Sequence, residues 1–395
     1  MRFTIPSFRA ISLSTVIATG LAACTAAQMT PTWEKWFVAK DQESGYATLQ
    51  EVMYDPAGAV ISAGHASSLS NSQDSLVVIK QATNGTLLWK TVTDLGAGSY
   101  NRPWASVLGT DGSVYVITES TLIKFNSNGI ENWRRNISTL IGADAALRDL
   151  EISGNRLYVA GRDLYIFDLN GTLTNTVAQI APLWDVAITN TGIYTAGTGQ
   201  VRRYTSNLTP VWNYALSVVQ SPPAKLAVQT DGTVYVATFN SEPQDSAYLT
   251  RINSNGAQVW SKYFADPNTS SFQLSGIPDV KLLPDGNLVF AQSQQPTRII
   301  NIINASNGTV KTTNKQSTGI ISKMVVDSKG GIYVVGNNKP QKFDNTATLL
   351  ANGTMPSSAD ISSGGVAVTA DSIYVGAGLF QNNDMKMYVS RYANQ

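Results

Sequence analysis

Apolar residues do not recur along this chain at the three-to-four spacing of an amphipathic helix. They come in short runs such as SVYVIT, GIYTAG and GIYVVG, rich in Val, Ile and Tyr and bounded by dipeptides such as Asp-Gly and Asn-Gly. Such runs between residues that reach positive φ at little cost predict short antiparallel strands closed by hairpins. One cassette recurs: a strand, a tight turn, a strand with Tyr and Val, a third strand, a second turn, and a strand with Trp. Its clearest copy is SVLGTDGSVYVITESTLIKFNSNGIENWRRNIS, Ser106 to Ser138. Eight copies align at Ile61, Tyr115, Tyr158, Tyr194, Tyr235, Val289, Tyr333 and Tyr374, spaced 36 to 54 residues apart. Four short strands per unit of about 40 to 50 residues is the pattern of a β-propeller blade. The expected fold is all-β, an eight-bladed propeller of four-stranded antiparallel blades spanning 33–395.

The first turn of each copy holds Ala57-Gly58, Asp111-Gly112, Gly154-Asn155, Thr191-Gly192, Asp231-Gly232, Asp285-Gly286, Lys329-Gly330 or Asp371-Ser372, read here as two-residue hairpins. Where the second turn's glycine precedes a tryptophan the interval is four, as in Gly85 to Trp89, Gly129 to Trp133 and Gly256 to Trp260; Leu208 to Trp212 keeps the interval without the glycine. The eighth copy stops after its third strand. Thr32 to Ala39 is therefore expected to supply its fourth, with Trp33 in the position of the other tryptophans, so that the two ends of the chain close the ring and leave no exposed edge between first and last blade. A closed monomer is expected.

Both short turns of a cassette follow alternate strands and so lie on one face. The longer connections, 65–74, 94–103, 239–245, 266–276 and 379–384, then lie on the other, where binding usually sits. Counting back ten residues from each aligned position reaches the start of the innermost strand, at Glu51, Ala105, Arg148, Trp184, Lys225, Asp279, Lys323 and Gly364. This predicts three cations and two carboxylates around the channel mouth, suited to a polar ligand, a glycan or a loop of a partner protein.

Residues 1–23 have a short basic head with Arg2 and Arg9 and then an apolar core, the layout of an export signal, too short for a full membrane span of about 20 apolar residues. Cys24 is the only cysteine, so no internal disulfide can form. Without Arg2 and Arg9 the 28 Lys and Arg fall to 26, against 27 Asp and Glu, a balance that gives no field for nucleic acid. The single histidine, His65, makes a Ser-His-Asp triad or a histidine-built metal site a weak reading. Glu51 and Asp279 could face each other across the channel as a carboxylate pair for glycan cleavage.

Leu21-Ala22-Ala23-Cys24 resembles the bacterial lipobox. The resemblance implies cleavage after residue 23, lipidation of Cys24, a spacer over 24–32 and, with Thr25 next, anchoring in the outer membrane. The Gly-to-Trp interval of four resembles the ending of the PQQ-like propeller repeat, and QDSLVVIKQATNGTLLWK and QDSAYLTRINSNGAQVWSK resemble bacterial SBBP-type repeats. Length and leader together are similar in architecture to the BamB propeller lipoproteins. These resemblances imply a non-catalytic, cofactor-free scaffold for an envelope protein. The alternative they leave open is a propeller enzyme, either a glycan-active hydrolase or lyase or a quinoprotein-like oxidoreductase using PQQ and calcium.

Overall fold

The computed structural model describes residues 26–38, 45–68, 74–95, 102–216, 224–240, 246–264, 278–294, 297–316, 320–336, 339–356, 364–381 and 384–394. Cys24, the signal segment and parts of the long connections lie outside them. Among the described residues the chain is nearly all β, with one short helix, α1 (Ile137–Ile141), and no helix long and apolar enough to cross a membrane.

Eight sheets follow in order, each wound from an inner strand outward: blades 1 to 7 cover 45–94, 105–136, 149–177, 183–215, 224–264, 279–316 and 321–353. Blade 8 takes three strands from 364–393 and its outermost from the start of the chain, β2 (Pro31–Phe37). This strand pairs antiparallel with Asp384–Ala393, Trp33 opposite Arg391, as the truncated eighth copy requires. Just before it, β1 (Ala27–Met29) adds a fifth, parallel strand to the outer edge of blade 7, a pairing the sequence did not suggest.

Neighbouring blades are joined by a repeated contact. Trp33 of blade 8 lies on the outer turn of blade 1, its indole N–H donating to Thr83 O at 2.8 Å. Trp89 does the same to Ser127 O of blade 2 at 2.8 Å, Trp133 to Leu169 O of blade 3 at 3.3 Å, Trp212 to Ser254 O of blade 5 at 3.0 Å and Trp260 to Ala305 O of blade 6 at 3.2 Å. Each indole rests where the receiving turn has a glycine at positive φ. A Cβ on Gly129 would stand 2.6 Å from the Trp89 ring, and one on Gly85 2.9 Å from Trp33. The converse also holds. Blade 4 has Leu208 at that turn position and blade 7 has Ala347, both forced to positive φ (66° and 62°), and the preceding blades carry Asn175 and Thr312 where tryptophan would stand. Trp33 also packs 6.3 Å from Tyr374, the same in-blade pair that Tyr115–Trp133, Tyr194–Trp212 and Tyr235–Trp260 make.

Trp33 is half-buried, so Trp33→Ala should cost somewhat less than the about 3 to 5 kcal/mol usual for a fully buried Trp. Gly85→Ala should also destabilise, through strain at positive φ and a clash with the indole, and the double variant should lose less than the sum. A denaturant-unfolding cycle measures this coupling, and purely additive losses would show that the two residues do not form the closure.

Candidate functional site

The inner strands run from the long-connection face toward the short turns, so their first residues surround one mouth of the channel. Pairing with the second strand fixes which residues share a level. Met53 stands opposite Ile61, Val107 opposite Tyr115, Glu151 opposite Tyr158, Ala187 opposite Tyr194 and Lys281 opposite Val289. These partners lie eight positions before the aligned residue in blades 1, 2 and 6, but seven in blades 3 and 4. The cause is hairpin length. Blades 1, 2, 5, 6 and 7 close three-residue loops, shown for blade 2 by the Gly112 N to Gly109 O and Gly109 N to Ser113 O bonds, with glycine at positive φ in the bulge position. Blades 3, 4 and 8 close two-residue loops, as between Ser153 and Arg156, Thr189 and Gly192, and Thr369 and Ser372. The uniform two-residue reading was wrong for five blades, and the count of ten slipped by one in the other three.

In the corrected register the level that holds Glu51, Ala105, Lys225, Asp279 and Lys323 is completed by Asp149, Asp185 and Gly365. Arg148, Trp184 and Gly364 each stand one residue nearer the mouth. One level deeper the chain places Glu151 and Lys281. The channel thus holds five carboxylates, at 51, 149, 151, 185 and 279, and three lysines, at 225, 281 and 323. The sequence count missed Asp149, Asp185, Glu151 and Lys281, although the lengths of the first turns carried the signal.

Most of these charges are paired. Asp185 accepts from Lys225 Nζ at 2.7 Å and from Leu226 N–H at 2.7 Å. Asp149 accepts from Val186 N–H at 2.9 Å, the same inner-strand link one blade earlier. Lys281 lies 3.4 Å from Asp279. Lys323 reaches both oxygens of Glu51 at 3.0 and 3.1 Å, across blade 8. At this level blade 8 has Gly365, where a Cβ would stand 2.7 Å from Val52 N of blade 1. Burial alone would lower the Lys225 ammonium, but the charges of Asp185 and Asp149 together raise it, so it stays protonated. Glu151 has no such lysine contact. Burial first, then Asp149 and Asp185, push its carboxyl up to about 7 against the weaker opposite pull of Lys281 and Lys225. Charges from blades 3, 4, 5 and 6 thus act on one another across the channel.

Above this layer Arg148 is held between two indoles, 4.5 Å from the Trp104 ring centroid and 5.2 Å from that of Trp184, with Glu119 at 3.9 Å. The connections around it are pinned by backbone bonds: Trp104 N to Ile117 O, Leu147 N to Glu119 O, Arg148 N to Ala160 O and Leu183 N to Gly161 O. The outer side of Trp104 is open (39% exposed), as are Leu140 (53%) and Ile180 (83%) on neighbouring connections of the same face. The sequence count found Arg148 and Trp184 but not Trp104 or Glu119, which no repeat position marks.

His65 lies inside the second strand of blade 1 (Ala59–Ser68) rather than at its end; it is buried, with Nδ1 2.7 Å from Gln50 Nε2, and burial and the charge of Arg102 lower it to about 3. It stays neutral and out of reach of a substrate. Glu51 and Asp279, the carboxylates expected to face each other across the channel, are each engaged by a lysine, Glu51 by Lys323 and Asp279 by Lys281. No three His, Cys, Asp or Glu side chains are grouped to hold a metal among the described residues. With lysines on three of the channel carboxylates, the inner layer does not fit the calcium that PQQ requires.

No family model matches the chain, and no curated protein does. Solved structures do. BamB from Moraxella catarrhalis superposes with a TM-score of 0.60 at 12% identity, covering 92% of this chain and 99% of that one. The C-terminal WD40 domain of Sif2 gives 0.63 at 12%, over 88% and 97%. The quinohemoprotein alcohol dehydrogenase ADHIIG from Pseudomonas putida HK5 gives 0.62 at 9%, over 93% and 76%. What these likenesses share is the propeller fold.

Glu151 generates a pH prediction. Its folded pKa lies above the ordinary value of 4.5, so the fold disfavours the ionised form, and stability falls as pH rises from about 4.5 to about 7. Glu151→Gln should leave the melting temperature unchanged at pH 4 and raise it progressively toward pH 8, by up to about 3 kcal/mol of stability for a shift of this size. Equal effects of the substitution at both pH values would remove Glu151 from the buried charge layer.

Proposed function

We propose that the protein is a non-catalytic, membrane-tethered scaffold that acts as a monomer and binds an envelope protein through the long-connection face of its propeller. The observation that carries this reading is the Trp104–Arg148–Trp184 stack at the channel mouth. Tryptophan and arginine on a rigid, backbone-pinned platform are the side chains that dominate protein interfaces. The BamB likeness supports a scaffold of this kind at the level of fold. The lipobox-like Leu21 to Cys24 supports the tether and an outer-membrane location. Because β1 already joins blade 7 at Ala27, only residues 24–26 of the expected spacer 24–32 are left to bridge propeller and bilayer, at no more than about 3.6 Å per residue, so the partner is met close to the membrane.

Two experiments test the reading. A photo-crosslinking residue at position 104 or 140 should capture an envelope protein in intact cells, whereas one at Val259 or Leu88 on the outer rim should not. Trp104→Ala combined with Arg148→Ala should cut capture at position 140 at least tenfold while the melting temperature stays within a few degrees. Capture from the rim alone would place binding elsewhere. Cys24→Ser should abolish incorporation of labelled palmitate and move the protein to the soluble fraction; unchanged membrane fractionation would remove the anchor.

A further inference from the structure

The stack and the channel beneath it form one surface with two chemistries. Trp104, Leu140 and Ile180 give it an open apolar rim. Immediately inside, the chain arranges more carboxylates than lysines, and two carboxylates, Asp149 and Glu151, have no basic partner within ion-pair distance among the described residues. The charges that act on Glu151 come from four inner strands: Asp149 from its own, Asp185 from blade 4, Lys225 from blade 5 and Lys281 from blade 6, while the neighbouring inner strand of blade 2, Ala105–Leu108, carries none. Of these, Lys225 is held by Asp185 and Lys281 by Asp279. Arg148, the nearest cation above, is turned into the indole sandwich and toward Glu119. A positive charge entering from the long-connection face therefore meets Glu151 and Asp149 without displacing an existing ion pair. A negative one meets only lysines that are already occupied.

On this basis, and resting on the scaffold reading above, we infer that the occupant of the mouth is a protein loop whose tip carries a Lys or Arg between apolar residues, the cation entering beside Asp149 and Glu151 and the flanks lying on Trp104 and Ile180. Charge complementarity selects the tip, and the exposed indole and aliphatic side chains supply the contact area. A free amine has the charge but no flanks to rest on the rim, which is why a loop fits the surface better than a small cation.

The test uses the full mature chain and three disulfide-cyclised peptides with Leu-X-Leu at the tip, X being Lys, norleucine or Glu, titrated calorimetrically at low and physiological salt. The Lys peptide should bind at least tenfold more tightly than the norleucine peptide, and the Glu peptide more weakly than both. Asp149→Asn with Glu151→Gln should remove the advantage of Lys over norleucine but leave norleucine binding in place, and Trp104→Ala should weaken all three. The advantage should shrink with salt. A Glu peptide that binds as well as the Lys peptide, a Lys preference that survives the double substitution, or no binding by any peptide at millimolar concentration would overturn the inference. The scaffold reading fails separately: a partner crosslinked at position 104 whose contacting segment is acidic or purely apolar sinks the cationic tip and keeps the scaffold, whereas capture only at Val259 or Leu88 on the outer edge of the blades removes binding from the long-connection face altogether.

Discussion

The fold depends on an indole resting on a turn that has no Cβ. Each such contact joins the outer strand of one blade to the outer turn of the next. It combines partial burial of a large apolar ring with one hydrogen bond to a turn carbonyl that would otherwise face water or apolar surface. The glycine has two functions at once, since it reaches positive φ without steric cost and leaves the space the ring occupies. This couples two residues far apart in sequence: tryptophan stands in a blade only when the following blade has glycine. Where the turn residue is Leu208 or Ala347, strain is accepted in the turn and the preceding blade carries Asn175 or Thr312 instead. For Thr312 the substitute contact is a hydroxyl bond to Thr346 O at 2.6 Å.

Ring closure follows from the same contact. The last blade has no outer turn of its own, because its third strand, Asp384–Ala393, and its fourth, β2, are far apart in sequence and joined by no hairpin. The indole of Trp33 is therefore the means by which blade 8 holds blade 1, and the pairing of β2 with Asp384–Ala393 holds the two ends together. The parallel addition of β1 to blade 7 carries the start of the described chain onto a neighbouring blade. The segment nearest Cys24 is thereby tied to the body at two sheets in succession.

Much of this was legible in the sequence, and the reasons are local. Asn-Gly and Asp-Gly mark turns through backbone sterics, alternating Val and Tyr mark strands through packing, and a missing fourth strand in the last copy required a strand from elsewhere. The candidate site was less legible because it depends on register, and register depends on loop length. A two-residue and a three-residue hairpin look alike when only the dipeptide is read. One residue of difference moves a side chain from the channel to the level above it, which is how Arg148 and Trp184 came to stand for Asp149 and Asp185. Trp104 and Glu119 lie on connections with no repeat equivalent, so periodicity had nothing to say about them. The parallel pairing of β1 had no sequence signal either, since Ala27, Gln28 and Met29 are neither turn-bounded nor β-rich.

The same contact also decides which face is available for binding. All five indoles sit at outer turns on the short-turn face, and their glycines are covered by the rings that rest on them. That face is therefore taken up by joining blades, and its loops are too short to vary without disturbing the closure. The long-connection face has no such obligation. Its connections differ in length and sequence from blade to blade, and over blades 2 to 4 they are fixed by backbone bonds rather than by an indole resting on a turn. Charges in the channel below are held largely in pairs, two of them between blades, Lys225 with Asp185 and Lys323 with Glu51. A repeat selected for closure on one face thus leaves the other free to carry irregular chemistry, and that is where this chain places its tryptophan, arginine and least-paired carboxylate.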